Sequence, residues 1–158
     1  MAEFYPIPEE GEPAPFFTGI TQENKPISSD QFKGKKLALY FYPRDNTSVC
    51  TVQACNIRDH YSELIKAGIS IVGVSDDPVD KHVHFANKNS LPFPLIADTE
   101  QIVLKAYGAH GEKSMYGRKY MGTKRMTFLI DENGLIKKVI IKPKSKIHAS
   151  EILNGFGL

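Results

Sequence analysis

The 158-residue chain carries two cysteines, Cys50 and Cys55, five positions apart. A chain of this length buries about 70% of the surface it exposes when unfolded, so its core needs no disulfide staple. Two thiols so close together point instead to catalysis, redox sensing or metal binding. Cys50 follows a continuous apolar run, Leu37 to Tyr42, that ends at Pro43. It opens a series Cys50, Ala54, Ile57, Tyr61, Leu64 whose steps of four and three make one helix face. Cys50 therefore belongs to the first helical turn after a buried strand. There the unpaired N–H groups and the helix dipole favour thiolate over thiol. Open α/β sheets also place their active sites at the C-terminal ends of such strands. Thr47 precedes Cys50 by three residues, a spacing that can bring both side chains to one side of the turn.

Cys55 lies about 140° further around the same helix. Its helical neighbours Arg58, Asp59 and Ser62 are polar, so it is expected nearer the exposed side. In an intact helix the two Cα atoms stand about 8.6 Å apart. A disulfide needs less than about 7 Å. A permanent bond is incompatible with the helix, whereas local opening allows a transient one.

The surrounding elements follow from pattern and punctuation. Residues 1–15 form a leading arm rich in Pro, Glu and Gly, and residues 16–27 give a weak hairpin signal. The helix opened by Cys50 stops at Gly68, and Ile69 to Val74 is a second buried strand. Asp77-Pro78 is read as a cap followed by Pro at the first helical position, opening a helix to about Asn89. A short strand at 94–98 and a helix at 99–107 closed by Gly108 come next. Strands at 125–131 and 135–141 flank Asn133-Gly134, an antiparallel hairpin, and 146–155 is the last helix. This order predicts a single α/β domain over residues 1–158 with a thioredoxin-like fold. Its mixed central sheet carries helices on both faces and an N-terminal hairpin addition.

Composition narrows the function classes. A net charge of +2 gives no argument for nucleic acid or a membrane surface, and no apolar run reaches the roughly 18 residues of a span. Met1 to Pro6 shows no signal-peptide pattern, so a cytoplasmic location is expected. The five histidines show no ligand spacing beside the cysteines, and His82 and His84, two apart on a helix, do not face each other. No metal is expected. The lysines of 137–146 read as solubilising the hairpin strand and its exit.

Pro43-x-x-x-Thr47-x-x-Cys50 resembles the peroxiredoxin signature. The five-residue step to Cys55 resembles the branch of bacterioferritin comigratory protein, or peroxiredoxin Q. Further landmarks are Gly11 to Phe16, Asn56 to Asp59, Leu91 to Leu95, Tyr107-Gly108 and Arg125-x-Thr127-Phe128-Leu129-Ile130-Asp131, so the likeness spans nearly the whole chain. The resemblance implies a thiol peroxidase. Cys50 would attack a hydroperoxide and become a sulfenic acid. Thr47 would hydrogen-bond the thiolate and the peroxide. Arg125 would favour the thiolate and hold the polarised oxygens, helped by the Cys50 N–H. Pro43 would shield the site from water, and Gln53, where relatives often carry Glu, would orient Arg125. Cys55 would resolve the sulfenic acid into an intramolecular disulfide, to be reduced by thioredoxin or a glutaredoxin-like donor. No metal or organic cofactor would be needed.

Two positions depart from the branch. Val49 replaces the usual Gly before Cys50, adding a side chain at the site mouth. Asn56 replaces an acidic residue after Cys55, a change that could alter the second thiol's environment or donor docking. Intramolecular resolution favours a monomer and leaves a dimer open. A redox sensor passing oxidation to a partner would use nearly the same residues. A general disulfide reductase is disfavoured by the lack of Cys-x-x-Cys.

Overall fold

The computed structural model describes residues 4–158; the first three residues of the leading arm, and with them half of the Met1 to Pro6 segment, lie outside the described residues. The apolar run becomes β3 (Lys36–Phe41), the centre of a five-stranded sheet. It pairs parallel with β4 (Ile69–Ser75), which pairs parallel with β5 (Leu95–Ala97). On its other side β3 pairs antiparallel with β8 (Met126–Ile130), and β8 with β9 (Ile136–Ile141). The sheet is mixed, as the element order requires. The N-terminal hairpin β1 (Thr18–Ile20) and β2 (Pro26–Ser28) is a separate two-stranded piece.

Alternation along β3 sorts the two cores. Ala38, Tyr40 and Tyr42 face one side with Cys50, Ala54 and Ile57 of α1 (Ser48–Asp59). That core also takes in Leu64 of α2 (Tyr61–Lys66), Phe85 of α3 (Val79–Asn89) and Ile152 of α5 (His148–Gly155). Leu37, Leu39 and Phe41 face the other side, against α4 (Ile102–Ala106) and the β1–β2 hairpin. The hairpin addition thus serves as part of the cover on a face that has one short helix. Each fully buried Leu, Ile or Phe contributes roughly 1.5–3 kcal/mol, and a one-residue slip would move the whole set to the wrong face.

Three boundaries differ from expectation, each for a local reason. The helix expected to run from Cys50 to Gly68 breaks at His60 (φ −110°, ψ 15°), where the His60 ring nitrogen Nδ1 bonds the Asn56 carbonyl at 2.9 Å and separates α1 from α2. The apolar face survives the break, since Leu64 is fully buried. Pro78 is the cap of α3 rather than its first helical residue, because the Asp77 carboxylate turns inward to Ser75 Oγ and the Asp45 N–H. A second hairpin also emerges, β6 (His110–Met115) and β7 (Arg118–Thr123), which the sequence pattern left unassigned. Its turn is Tyr116-Gly117, both at positive φ (51° and 79°), the backbone of a two-residue I′ connection.

One buried polar chain locks the last helix under the sheet. Thr127 on β8 donates its hydroxyl to His148 Nε2 at 2.8 Å, and His148 Nδ1–H donates to Glu151 Oε1 at 3.0 Å. The order Thr–His–Glu mimics a hydrolytic triad, but Thr127 and His148 are wholly buried and reach no substrate. Burial lowers the His148 pKa from its ordinary 6.5, with Glu151 opposing the shift. The unfolded chain therefore takes up the His148 proton at a higher pH than the folded chain. Its contribution to stability is present above about pH 6.5 and is lost as pH falls through the depressed folded value. Urea unfolding of wild type and His148→Gln at pH 7.5 and 5.5 checks this: wild type is expected to lose more stability between the two values than the variant.

Candidate active site

β3 delivers the chain to Pro43 beyond its C-terminal end, and Arg44, Asp45 and Asn46 turn it to Thr47, the cap of α1. Thr47 is extended (φ −80°, ψ 152°) and makes no side-chain capping bond. Its hydroxyl instead donates to the Arg44 carbonyl at 2.9 Å. The first intrahelical bond runs from Thr51 N–H to the Thr47 carbonyl, so the first-turn amides point out of the helix end unpaired by the helix. Cys50 sits in that turn and is 2% exposed.

Arg125, in the junction between β7 and β8, reaches the sulfur. Its Nη2 donates to Cys50 Sγ at 3.3 Å and its Nη1 to Gln53 Oε1 at 2.9 Å. Gln53, fully buried one turn below Cys50, thereby holds the guanidinium by its second arm. A cleft of about 570 Å³ opens above, lined by Pro43, Thr47, Val49 and Arg125 from the expected set. Val49 is 48% exposed at its rim, where a Gly would leave open space. A smaller cavity of about 210 Å³ on the opposite face, by Phe17, Phe32 and Tyr107, includes none of the expected site residues. The structure thus brings Pro43, Thr47, Cys50, Gln53 and Arg125 together; Thr47 lines the cleft without bonding the sulfur. Its hydroxyl proton is committed to Arg44, which leaves its oxygen lone pairs to accept a hydrogen bond from an O–H group in the cleft.

Cys55 stands apart from them. It is half-buried, and its thiol donates to Asn89 Oδ1 on α3 at 3.6 Å. Both thiols are free and the helix between them is wound. Asn56 makes its side-chain bonds away from the second thiol. Its Nδ2 donates to the Lys146 carbonyl at 2.9 Å, and its Oδ1 accepts the Ala149 N–H at 2.8 Å, so it ties α1 to the start of α5 rather than serving the second thiol. A carboxylate could accept from Ala149 but not donate to Lys146.

The β6–β7 wall of the cleft escaped the sequence pattern. Lys113 on β6 lines the cleft with its Nζ donating to the Thr123 carbonyl at 3.0 Å. Burial, then the Arg125 charge, lowers its pKa from the ordinary lysine value, while Cys50 opposes the shift. Its hairpin lacks apolar alternation, and only the Tyr116-Gly117 turn could have betrayed it.

A charge-assisted hydrogen bond contributes about 1.5–3 kcal/mol, so loss of the Arg125 contact should slow Cys50 by roughly tenfold or more. The measurement is iodoacetamide alkylation at pH 7 in a Cys55→Ser background. Arg125→Gln is expected to show the full loss and Gln53→Ala a smaller one, since the guanidinium then keeps its sulfur contact but loses its support.

Comparison with known proteins identifies the family. The model of the AhpC/TSA family matches residues 11–139. The putative peroxiredoxin bcp of Coxiella burnetii is 46% identical over 145 residues, covering 92% of this chain and 96% of that one. Peroxiredoxin Bcp of Escherichia coli strain K12 is 40% identical over 144 residues, covering 91% and 92%. Among solved structures, a cysteine-to-serine mutant of Xanthomonas campestris peroxiredoxin Q superposes with a TM-score of 0.84 at 31% identity, covering 89% of this chain and 90% of that one. Peroxidoxin BcpB of Mycobacterium tuberculosis gives 0.83 at 30% identity, covering 94% and 96%. With the fold, the cleft and the Cys50–Arg125 contact in place, the chain belongs to the AhpC/TSA family, in its Bcp and peroxiredoxin Q branch, and is a peroxidase enzyme of the peroxiredoxin type.

Proposed function

We propose that the chain reduces hydrogen peroxide and organic hydroperoxides by a cycle contained in one subunit, with Cys50 attacking and Cys55 resolving. The observation that carries this reading is the Arg125 hydrogen bond to a buried sulfur at an uncapped helix start beneath an open cleft. The Cys50 thiolate attacks the terminal peroxide oxygen; the S–O bond forms as the O–O bond breaks. The proton that the thiol gave up ends on the departing oxygen, which leaves as water or alcohol. Arg125 and the first-turn amides of α1 face the charge that develops on these oxygens. The Thr47 oxygen accepts the peroxide O–H, and Pro43 screens the site. A related bacterioferritin comigratory protein from Xanthomonas campestris, 30% identical, is described by its alkyl peroxide reduction activity, which supports including organic hydroperoxides.

The Cys55 thiol then displaces water from the sulfenic acid, forming the Cys50–Cys55 disulfide after α1 unwinds. A dithiol donor such as thioredoxin or a glutaredoxin-like protein takes up the oxidation, returning both thiols as its own become a disulfide. No bound cofactor enters these steps, and nothing in them requires a second subunit. The reading places the protein in the cytoplasm, where such donors keep thiols reduced. No helix among the described residues is long and apolar enough to cross a membrane.

Stopped-flow consumption of hydrogen peroxide and an alkyl hydroperoxide, with a thioredoxin system, tests the assignment. Cys50→Ser is expected to fall to background. Cys55→Ser should give one rapid turnover and then stall. Full recycling by Cys55→Ser would remove Cys55 from the cycle.

A further inference from the structure

The turn that presents Thr47 and Pro43 is held from beneath by a polar cluster that the peroxidase chemistry does not use. Asp45, in the middle of that turn, points inward and is 5% exposed. Three separate elements grip it. Tyr42, just past β3, donates its hydroxyl to Asp45 Oδ1 at 2.6 Å. His82 on α3 bonds Asp45 Oδ2 through Nδ1 at 2.5 Å. The Asp45 N–H donates to Asp77 Oδ2, just beyond β4, at 2.8 Å. His82 is wholly buried, and its Nε2 is bonded to the Ile96 carbonyl of β5 at 2.9 Å. Ser75 Oγ donates to Asp77 Oδ2 at 2.8 Å. Asp45, Asp77 and His82 lie close enough to be drawn around a cation, but each is already engaged by the others or by neighbours, which is the signature of an internal anchor.

The backbone shows what the anchor does. Asn46, the next residue, is in the left-handed region at φ 64°, a conformation Asn tolerates better than most. The chain reverses there, so Asp45 turns into the core while Thr47, two residues on, comes out exposed in the cleft. We propose that the Asp45–His82 pair positions the peroxidatic turn, fixing Thr47 and Pro43 relative to Cys50 from the core side of that turn. The inference rests on the peroxidase reading and adds to it a specific role for two residues that touch no reacting atom. Asp45 and His82 are positioning residues, and their removal acts on peroxide alignment rather than on the sulfur. Arg125 and Gln53 belong to other elements and keep their bonds to and near Cys50.

The test uses the full chain in a Cys55→Ser background, with two rates read on each variant: single-turnover oxidation of Cys50 by hydrogen peroxide, and its alkylation by iodoacetamide. His82→Leu and Asp45→Asn are expected to slow oxidation by about ten- to a hundredfold while alkylation stays near wild type. His82→Asn, whose amide can still donate to Asp45, is expected to recover most of the oxidation rate. Thermal unfolding is followed alongside, and if His82→Leu does not fold, Asp45→Asn and His82→Asn decide the matter. Wild-type oxidation rates in folded Asp45→Asn and His82→Leu would overturn the proposal. So would an equal slowing of oxidation and alkylation, which is general loosening of the site. Failure of the Cys55→Ser parent itself to react with peroxide would refute the peroxidase reading, a distinct outcome.

Discussion

The hydrogen bond from Arg125 to Cys50 joins residues 75 positions apart, and most of the architecture serves to make it. Its geometry comes from the antiparallel register of β3 and β8, in which Phe41 lies opposite Met126. Arg125 enters β8 at the same end of the sheet where Pro43 leaves β3. A slip of β8 by one residue would turn Thr127 to the opposite core and carry Arg125 away from the sulfur. The apolar clusters on the two faces forbid that slip. This contact is thus a consequence of strand register, with Gln53 and α1 supplying only the last increment of orientation.

In the proposed cycle the same helix has two incompatible duties. Wound, α1 presents Cys50 beside Arg125 and keeps Cys55 on another side, against Asn89. Unwound, it lets the two sulfurs meet. An uncapped start favours both duties. The free first-turn amides can address an anion, and the missing cap forgoes about 1 kcal/mol that would otherwise hold the first turn closed. Beyond Cys55 the helix is fastened by Asn56 to α5 and by Arg58, whose Nη1 donates to the Asn89 carbonyl at 2.8 Å. Before the helix, Asp45 fastens the turn to α3 and β4. The stretch that carries the two sulfurs lies between these fixed ends.

Much of this was legible in the residues. The unbroken apolar runs announced strands buried on both faces, the four-three stepping placed Cys50 on the core side of a helix, and Asn133-Gly134 gave the β8–β9 hairpin. What escaped was built from polar side chains whose partners are distant in sequence. His82 looked unremarkable beside His84 because its partner Asp45 is 37 positions away. Thr47 has the spacing to face Cys50, yet its proton goes to the Arg44 carbonyl, a choice set by turn geometry. Asn56 reads as a loss of charge until α5 supplies groups that need both a donor and an acceptor. The β6–β7 hairpin, and Lys113 with it, lacked the period-two apolar pattern that exposes a strand, because that hairpin stands clear of the central sheet.

Amide hydrogen exchange followed by mass spectrometry, on the reduced protein and on protein oxidised with one equivalent of hydrogen peroxide, addresses the central claim most directly. The account predicts that oxidation removes protection within α1, from Ser48 towards Asp59, while β3, β4 and β8 keep theirs. A protein that has formed the Cys50–Cys55 disulfide with α1 as protected as in the reduced state would contradict it.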